Sequence, residues 1–309
     1  MMNVASIDIG SNTVLLLIAE VDIKNWTFNT ILNRYEIPRL GKGLDENGDI
    51  SDDRIEKLLA ILNSNQNLIT QYNCEAILCT ATNALRIAKN SNYIVDKVRS
   101  KLGIEIEIIS GEREAELSYK GAASILPQVS EKVVLDIGGG STEVIYGSGN
   151  EMKFRKSFSI GAVNLTEIFI KQTPPLPIEL DSLISELEKR FTELKDLFEK
   201  NIPLIAVAGT PTTLAAIANQ LSEYDEKIVE GFQLTQNKLT DFIDEFSIKK
   251  PEEILGRYGE IIRGREDIIL AGSLILQHIL TITRNEFCTV TGKGIRYGSV
   301  VDFIEKLDS

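Results

Sequence analysis

The sequence is poor in the residues that several enzyme classes require. Its 309 residues include three cysteines and one histidine, His278. An odd number of cysteines without a Cys-x-x-Cys pair indicates neither a disulfide framework nor a thiolate zinc site. A single histidine also argues against a histidine-rich zinc centre and against a Ser-His-Asp triad. We expect His278 to be structural and Cys79 and Cys288 to be small residues of the core.

Basic residues and long apolar runs are also scarce. Lys and Arg total 33 against 45 Asp and Glu, a formal net charge of −12. This balance argues against a broad nucleic-acid surface, and no apolar run reaches the roughly 18 residues that span a bilayer. Asp8 interrupts the first apolar stretch, unlike a signal peptide. We expect a cytoplasmic protein that binds neither DNA nor membrane, and any polyanion to bind a local basic pocket with help from Mg²⁺.

Two segments of the chain repeat each other 128 residues apart. Val4–Thr13 reads VASIDIGSNT, and Val133–Glu143 reads VVLDIGGGSTE. Each predicts a buried strand that ends in an acid, a glycine turn and hydroxyl residues before a second apolar run. A buried carboxylate needs a cationic partner, and glycines let backbone N–H groups close around an anion. The pair predicts a cleft that clamps phosphate and a divalent metal.

Further candidates follow from the same chemistry. Mg²⁺ prefers one or two carboxylates together with phosphate oxygens and water, which suits Asp8 and Asp136. Gly209-Thr210 ends an apolar run and opens a predicted helix, whose free N–H groups attract phosphate. By composition alone, Ser110 and the acids after it indicate an ordinary helix cap, and Arg86 is equally a phosphate ligand or a surface residue.

The order of predicted elements indicates an α/β protein with two domains, because the chain exceeds the usual size of one core. We place the domains at 1–125 and 126–298 and expect a helix over about 299–309 to pack back on the first. Alternation predicts a strand over 104–109, composition a loop over 41–49, and a charged amphipathic pattern one long helix over about 178–200.

In this order, the motifs resemble the actin-like superfold of sugar kinases and Hsp70. Within this superfold, the motif sequences are similar to those of the exopolyphosphatase/guanosine pentaphosphatase phosphatase family in its short, two-domain form. Segments 39–44 and 265–272 also match. The resemblance is carried mainly by Ser6–Asn12, Ala81–Arg86, Ile109–Ala115, Leu135–Glu143, Gly161–Glu167 and Gly209-Thr210.

The resemblance implies two actin-like (ribonuclease H-like) domains, each a mixed sheet flanked by helices, with a cleft between them. It also implies a Mg²⁺-dependent exopolyphosphatase that releases terminal orthophosphate from inorganic polyphosphate. Hydrolysis of guanosine pentaphosphate (pppGpp) at its 5′ end is the first alternative, and a non-catalytic sensor of alarmone or polyphosphate is the second. A kinase of the same superfold is a different class. The family also allows a homodimer, which nothing in the sequence demands.

Roles for single residues come from the same resemblance. The catalytic glutamate of the family falls on Glu114, which overturns the capping interpretation, and a second essential glutamate falls on Glu143. Arg86 would neutralise the transferred phosphoryl group, and Asp8, Asp136 and Glu143 would hold Mg²⁺. Two positions depart from the family pattern: Gly292 replaces an acid and Tyr297 a glutamate. The expected phosphate-binding residues are Gly10, Ser11, Asn12, Gly138, Gly139, Gly140, Ser141, Thr142, Gly209 and Thr210.

Overall fold

The structure is a computed structural model, and it describes residues 1–44, 48–149, 151–195, 197 and 202–307. Parts of the predicted 41–49 loop and of the predicted 178–200 helix lie outside these ranges. The chain divides into two compact units, Met1–Gly121 with Lys293–Ser309, and Ala122–Gly292. The domain limits predicted from the sequence, 125 and 298, lie a few residues away from these divisions and stay predictions.

The elements alternate as the sequence indicates. The strands are β1 (Met2–Ile9), β2 (Val14–Asp22), β3 (Thr27–Glu36), β4 (Ala76–Ala81), β5 (Glu107–Ile108), β6 (Glu131–Ile137), β7 (Thr142–Ser148), β8 (Glu151–Phe158), β9 (Leu204–Val207), β10 (Gln233–Thr235) and β11 (Phe287–Val290). The helices are α1 (Asp52–Gln71), α2 (Asn83–Ile87), α3 (Ser91–Leu102), α4 (Gly111–Ala122), α5 (Ala162–Phe169), α6 (Pro177–Arg190), α7 (Gly209–Ala218), α8 (Glu226–Val229), α9 (Gln236–Ser247), α10 (Pro251–Tyr258), α11 (Ile269–Thr283) and α12 (Ile295–Leu307). No helix in the described ranges is long and apolar enough to cross a bilayer.

Each unit contains one mixed sheet, and the two sheets share a plan. The first sheet has the order β3-β2-β1-β4-β5, and the second β10-β11-β9-β6-β7-β8. In both, an antiparallel meander (β1–β2–β3 or β6–β7–β8) is followed by strands parallel to its first strand (β4, or β9). The predicted α/β class with two mixed, helix-flanked sheets is confirmed, and the sequence repeat is the sign of this duplicated plan.

Continuous apolar runs place the core of the first unit. In β1 and β2 most residues are buried and none is exposed, because helices cover both faces of the sheet. One face packs on α1 and α3 through residues such as Ile55, Leu58 and Ile94. Val300 and Ile304 of α12 pack beside Val4, Leu17 and Ala19. The C-terminal helix is thus part of the first unit's core.

Two predicted elements are shorter than expected. Only Glu107–Ile108 of the predicted 104–109 strand pairs, with Thr80 and Ala81 of β4, at the edge of the sheet. The predicted 178–200 helix ends at Arg190 and is followed by a 3-10 turn at Thr192–Leu194, where Phe191 and Leu194 turn into the core.

Helix α12 is joined to α4 by ion pairs around the buried Asp302. Burial acts to raise the pKa of the Asp302 carboxyl, but hydrogen bonds from Arg113, Lys120 and Lys306 outweigh it and hold this pKa well below its usual value of 3.8. A group with a lowered folded-state pKa contributes stability above its unfolded pKa and loses it as pH falls toward the folded value.

We therefore expect Asp302→Asn to lower the melting temperature at pH 7, and the difference from wild type to shrink as pH falls through about 3.8. Thermal unfolding of the two proteins from pH 7 to pH 3 measures this. A melting-temperature difference that is constant over that range would contradict the assignment.

Candidate active site

In the first unit, the predicted residues lie at the carboxyl ends of the parallel strands. Thr82 N donates to Ile9 O at 3.0 Å, and Ile109 N donates to Ala81 O at 3.0 Å, so the ends of β1, β4 and β5 lie side by side. Ligands of α/β proteins bind just beyond the carboxyl ends of the strands. Asp8 is the residue before the last of β1, Arg86 follows β4 on α2, and Glu114 follows β5 on α4.

The first glycine turn is closed by a hydrogen bond from Gly10 N to Thr13 O at 2.8 Å. Asp8 is buried, with 8% exposure. The buried Ser11 hydroxyl has no hydrogen-bond partner in the described part of the chain, whereas Ser11 O accepts a bond from Gly41 N at 2.7 Å. A buried hydroxyl needs a partner, so this one favours a polar ligand at the turn.

Arg86 and Glu114 are both predicted catalytic residues. They lie 28 residues apart in the sequence, and their side chains are in direct contact. Arg86 Nη1 donates to Glu114 Oε2 at 2.9 Å and to Ile109 O at 2.9 Å. The Glu114 side chain is only 6% exposed and that of Arg86 24%. The helix turn that carries Glu114 begins at Ser110, whose hydroxyl accepts a bond from Arg113 N at 3.2 Å. The capping chemistry is therefore present, and it sets the position of the acid.

In the second unit, the triple-glycine turn repeats the first. Gly138 N donates to Ser141 O at 2.9 Å, the same pattern as Gly10 with Thr13. Backbone N–H groups at the start of α5 donate to carbonyls of this turn. Ala162 N donates to Gly138 O at 3.0 Å, and Val163 N donates to Gly139 O at 2.7 Å. Within the described residues, the N–H groups of Gly139 and Gly140 donate to no protein acceptor. Such N–H groups form an anion cradle.

Asp136 and Glu143 are directly opposite each other on β6 and β7, so their side chains share one face of the sheet. Their residues are 6% and 0% exposed. Ser157, opposite Glu143 on β8, donates from Oγ to Glu143 Oε1 at 2.6 Å. Like charges facing across a strand pair are destabilising, and more so when buried, which favours a cation at this pair.

These carboxylates fit Mg²⁺ better than they fit a protein-only metal cage. Among the described residues, no group of three or more His, Cys, Asp and Glu side chains is arranged to hold a metal. Mg²⁺ does not need such a cage, since it keeps waters and takes one or two carboxylates with substrate phosphates. Within the second unit, the facing carboxylates of Asp136 and Glu143 provide that donor chemistry.

A residue that the sequence reasoning left without a role, Arg265, lies beside the third predicted turn, Gly209-Thr210. Helix α7 begins at Gly209, after Ala208 with φ of +76°. A Cβ on Gly209 would lie 2.8 Å from Arg265 Nε, and Arg265 Nη1 donates to Thr213 Oγ1 at 3.3 Å. An anion bound at this helix N-terminus would meet the Arg265 guanidinium as well as the positive end of the helix dipole. Only its place in the 265–272 family match pointed to Arg265.

Some predicted site side chains serve the fold. The Thr142 hydroxyl donates to Ile160 O at 2.7 Å, and Thr210 packs against Gly272, where a Cβ would lie 2.2 Å from Thr210 Oγ1. A hydrogen bond from Thr142 to phosphate would therefore come from its backbone N–H.

The scarce side chains behave as expected. Cys79 and Cys288 are buried, and burial raises the pKa of both thiols, that of Cys288 to about 12. They are therefore neutral core residues. Burial lowers the pKa of His278, whose ring lies 5.9 Å from that of Phe191. His278 lies on the mostly buried, apolar helix α11, in agreement with a structural role.

Both departures from the family pattern are accommodated by packing. A Cβ on Gly292 would lie 2.6 Å from the Tyr224 hydroxyl oxygen, so a side chain there requires movement. Tyr297 is buried, and its hydroxyl lies 3.4 Å from Thr30 Oγ1 and from Asn33 Nδ2. Tyr297 therefore connects α12 to β3.

Comparison with known proteins identifies the family of this chain. The model of the Ppx/GppA phosphatase family matches residues 17–307. The chain belongs to this family. It is 33% identical over 97% of its length to a bifunctional 3-dehydroquinate synthase/phosphatase of Fusobacterium nucleatum, of which it spans 46%. It is 29% identical over 89% of its length to exopolyphosphatase 2 of Mycobacterium tuberculosis, of which it spans 89%.

The chain is also similar to a nucleotide pyrophosphatase and to solved structures of the family. The chain is 27% identical over 98% of its length to a guanosine-5′-triphosphate,3′-diphosphate pyrophosphatase of Vibrio parahaemolyticus, of which it spans 59%. A crystal structure of the Ppx/GppA family member of Aquifex aeolicus superposes with a TM-score of 0.84 at 35% identity, covering 100% of this chain and 99% of that one. The predicted actin-like fold class is thereby confirmed.

Proposed function

We propose that this Ppx/GppA phosphatase is a Mg²⁺-dependent exopolyphosphatase that releases terminal orthophosphate from inorganic polyphosphate by attack of water. The observation that carries the proposal is the Glu114–Arg86 pair: a buried carboxylate, 2.9 Å from a guanidinium nitrogen, at the strand edge that also carries Asp8 and the first glycine turn. An acid and a cation in one such place match the needs of phosphoryl transfer to water.

Each residue of the pair has a distinct task. Glu114 orients the attacking water and accepts its proton, since a carboxylate does so within hydrogen-bond reach. Arg86 stabilises charge on the transferred phosphoryl group, and its second hydrogen bond, to Ile109 O, fixes the guanidinium. Because the Glu114 side chain is only 6% exposed, charges around it are screened more weakly than at the surface.

The glycine turns bind the phosphate chain. Backbone N–H groups of the turns at Gly10–Asn12 and Gly138–Thr142, and at the start of α7, donate to phosphate oxygens. Asp8, Asp136 and Glu143 would hold Mg²⁺ directly or through water. Bound Mg²⁺ would neutralise phosphate charge, which a chain of net charge −12 otherwise repels.

Hydrolysis of pppGpp is the second candidate, because the similarity to the Vibrio protein covers 98% of the chain. Both reactions break a terminal phosphoanhydride bond and need the same catalytic pair.

Phosphate release from long polyphosphate, short polyphosphate and pppGpp at matched concentrations with Mg²⁺ tests the proposal, with Glu114→Gln as the blank. We expect release mainly from polyphosphate. Preference for pppGpp would favour the second candidate, and binding without release above the blank would favour a sensor.

Asp136→Asn is expected to raise the Mg²⁺ concentration for half-maximal activity by about 10-fold or more, because a carboxylate is removed from the proposed metal site. A Mg²⁺ titration of initial rates measures it. Asp241→Asn, the same change at an exposed position of α9, is the control and should leave the curve unchanged. An unaltered titration for Asp136→Asn would refute a metal role for this residue.

A further inference from the structure

We infer that Asp302, near the C-terminal end of the chain, is a positioning residue for Glu114, through the ion pairs by which it fixes helix α4. The inference rests on the proposed catalytic role of Glu114. Asp302 itself is on α12 and, by this inference, acts only through the helix that carries the acid.

The contact consists of a buried acid surrounded by cations from both helices. Asp302 Oδ1 lies 2.6 Å from Lys120 Nζ, and Asp302 Oδ2 forms an ion pair with Arg113 and lies 2.9 Å from Lys306 Nζ. The Asp302 side chain is 10% exposed, against 25% for Arg113 and 21% for Lys120. Such a pair is screened much less than one on the surface. Without Asp302, Arg113 would keep only Glu116 as an acidic partner among the described residues. Lys120 would keep only Glu116 and Glu305 there, so the direct charge contact of these cations with the buried Asp302 would be lost.

The α4 side of this contact has its own internal brace. Arg113 Nη1 lies 2.8 Å from Glu116 Oε1, and Lys120 Nζ lies 3.5 Å from the same oxygen. Arg113, Glu116 and Lys120 are spaced three and four residues apart, so they share one face of α4. Asp302 binds the two cations of this face at once and therefore resists both rotation and sliding of α4.

Close backbone contact makes the position of α4 depend on that of α12. A Cβ on Gly298 would lie 1.8 Å from Leu117 O, and one on Gly121 would lie 2.3 Å from Gly294 O. The backbone of α4 therefore meets α12 at Gly298 and the residue just before α12 at Gly294. Leu117 also packs in one apolar cluster with Ile109 and Ile295.

This arrangement connects α12 to both members of the catalytic pair. Glu114 directly follows Arg113, the residue that Asp302 binds. The carbonyl that anchors Arg86 belongs to Ile109, which contacts α12 through Ile295. A shift of α4 on α12 therefore changes the 2.9 Å contact between Arg86 and Glu114. Misplacement of a reacting group by 1 Å is enough to lower a rate by about 100-fold.

The test is Asp302→Asn, which keeps the side-chain shape and removes the charge. We expect kcat to fall by about 10- to 100-fold while KM changes little, because substrate binding groups are untouched. Amide hydrogen exchange of peptides from 111–122 is expected to accelerate in the same variant. Asp302→Glu keeps the charge and should recover part of kcat.

Glu245→Gln is the matched control. Glu245 is a carboxylate of similar burial, 17% exposed, that meets Lys249 at 2.7 Å, Arg257 at 3.2 Å and the Tyr258 hydroxyl at 2.8 Å in the second unit. Its loss should lower the melting temperature to a similar degree and leave kcat unchanged. A comparable fall of kcat in both variants would mean that stability alone is responsible, and would overturn the inference.

The two proposals fail separately. Wild-type protein that releases no phosphate would refute the proposed function, and exchange at 111–122 then decides whether Asp302 fixes α4. Unchanged exchange in Asp302→Asn, or faster exchange with unchanged kcat in an active enzyme, would overturn the positioning role.

Discussion

Glu114→Gln is expected to lower phosphate release by at least about 100-fold, the lower range for loss of a general base. The amide has the shape of the carboxylate, and its oxygen still accepts a hydrogen bond from Arg86, so the fold around α4 should persist. What is lost is the ability to take a proton from water. Initial rates with Mg²⁺ and the preferred substrate measure the change, and a melting curve checks folding.

The same substitution two residues earlier is the control. Glu112 is exposed in the first turn of α4, and Glu112→Gln removes a charge from the same helix without touching the buried pair. We expect its rate to stay close to wild type. Wild-type turnover in Glu114→Gln would refute the assignment of the base, and equal losses in both variants would point to the charge of the helix terminus in place of proton transfer.

The sequence repeat carried most of what could be predicted. A strand ending in Asp, a glycine turn and a second strand is a local pattern, so Asp8 and Asp136 could be placed at corresponding turns without any tertiary information. The spacing of Asp136 and Glu143 also follows from the turn, because a hairpin sets which residues face each other. Their register pairing is what the hairpin pattern requires.

Local sequence patterns did not predict the tertiary contacts. Ser51 and Ser110 both have the sequence of a helix cap, yet only the Ser110 hydroxyl accepts a helix N–H, while that of Ser51 donates to Asp53 at 2.5 Å. Arg265 reaches Thr213 across 52 residues. Apolar and charged residues alternate over most of the predicted 104–109 strand, but only two of its residues pair with β4. Periodicity gives the face of an element and carries no information about the partner that covers it.

Gly161→Ala should lower kcat/KM by about 10- to 100-fold, because it displaces the second glycine turn. A Cβ at position 161 would lie 2.5 Å from the carbonyl carbon and oxygen of Gly139 and 2.6 Å from Gly140 N. These are backbone atoms and cannot rotate away as a flexible side chain does. The turn must move by about 1 Å to reach ordinary contact distances, and the N–H groups of the proposed phosphate cradle move with it.

Backbone strain does not account for this expected loss, since Gly161 has φ of −148° and ψ of 177°, which alanine adopts readily. Gly256→Ala, in helix α10 with nothing within 4 Å of the new Cβ, is the control and should raise stability by about 0.5–1 kcal/mol without changing kinetics. Unchanged kcat/KM in Gly161→Ala would mean that the turn tolerates displacement and that its N–H groups do not bind the reacting phosphate. A rise in KM with constant kcat would place those groups in ground-state binding of the chain, whereas a fall in kcat would show that they act on the transition state.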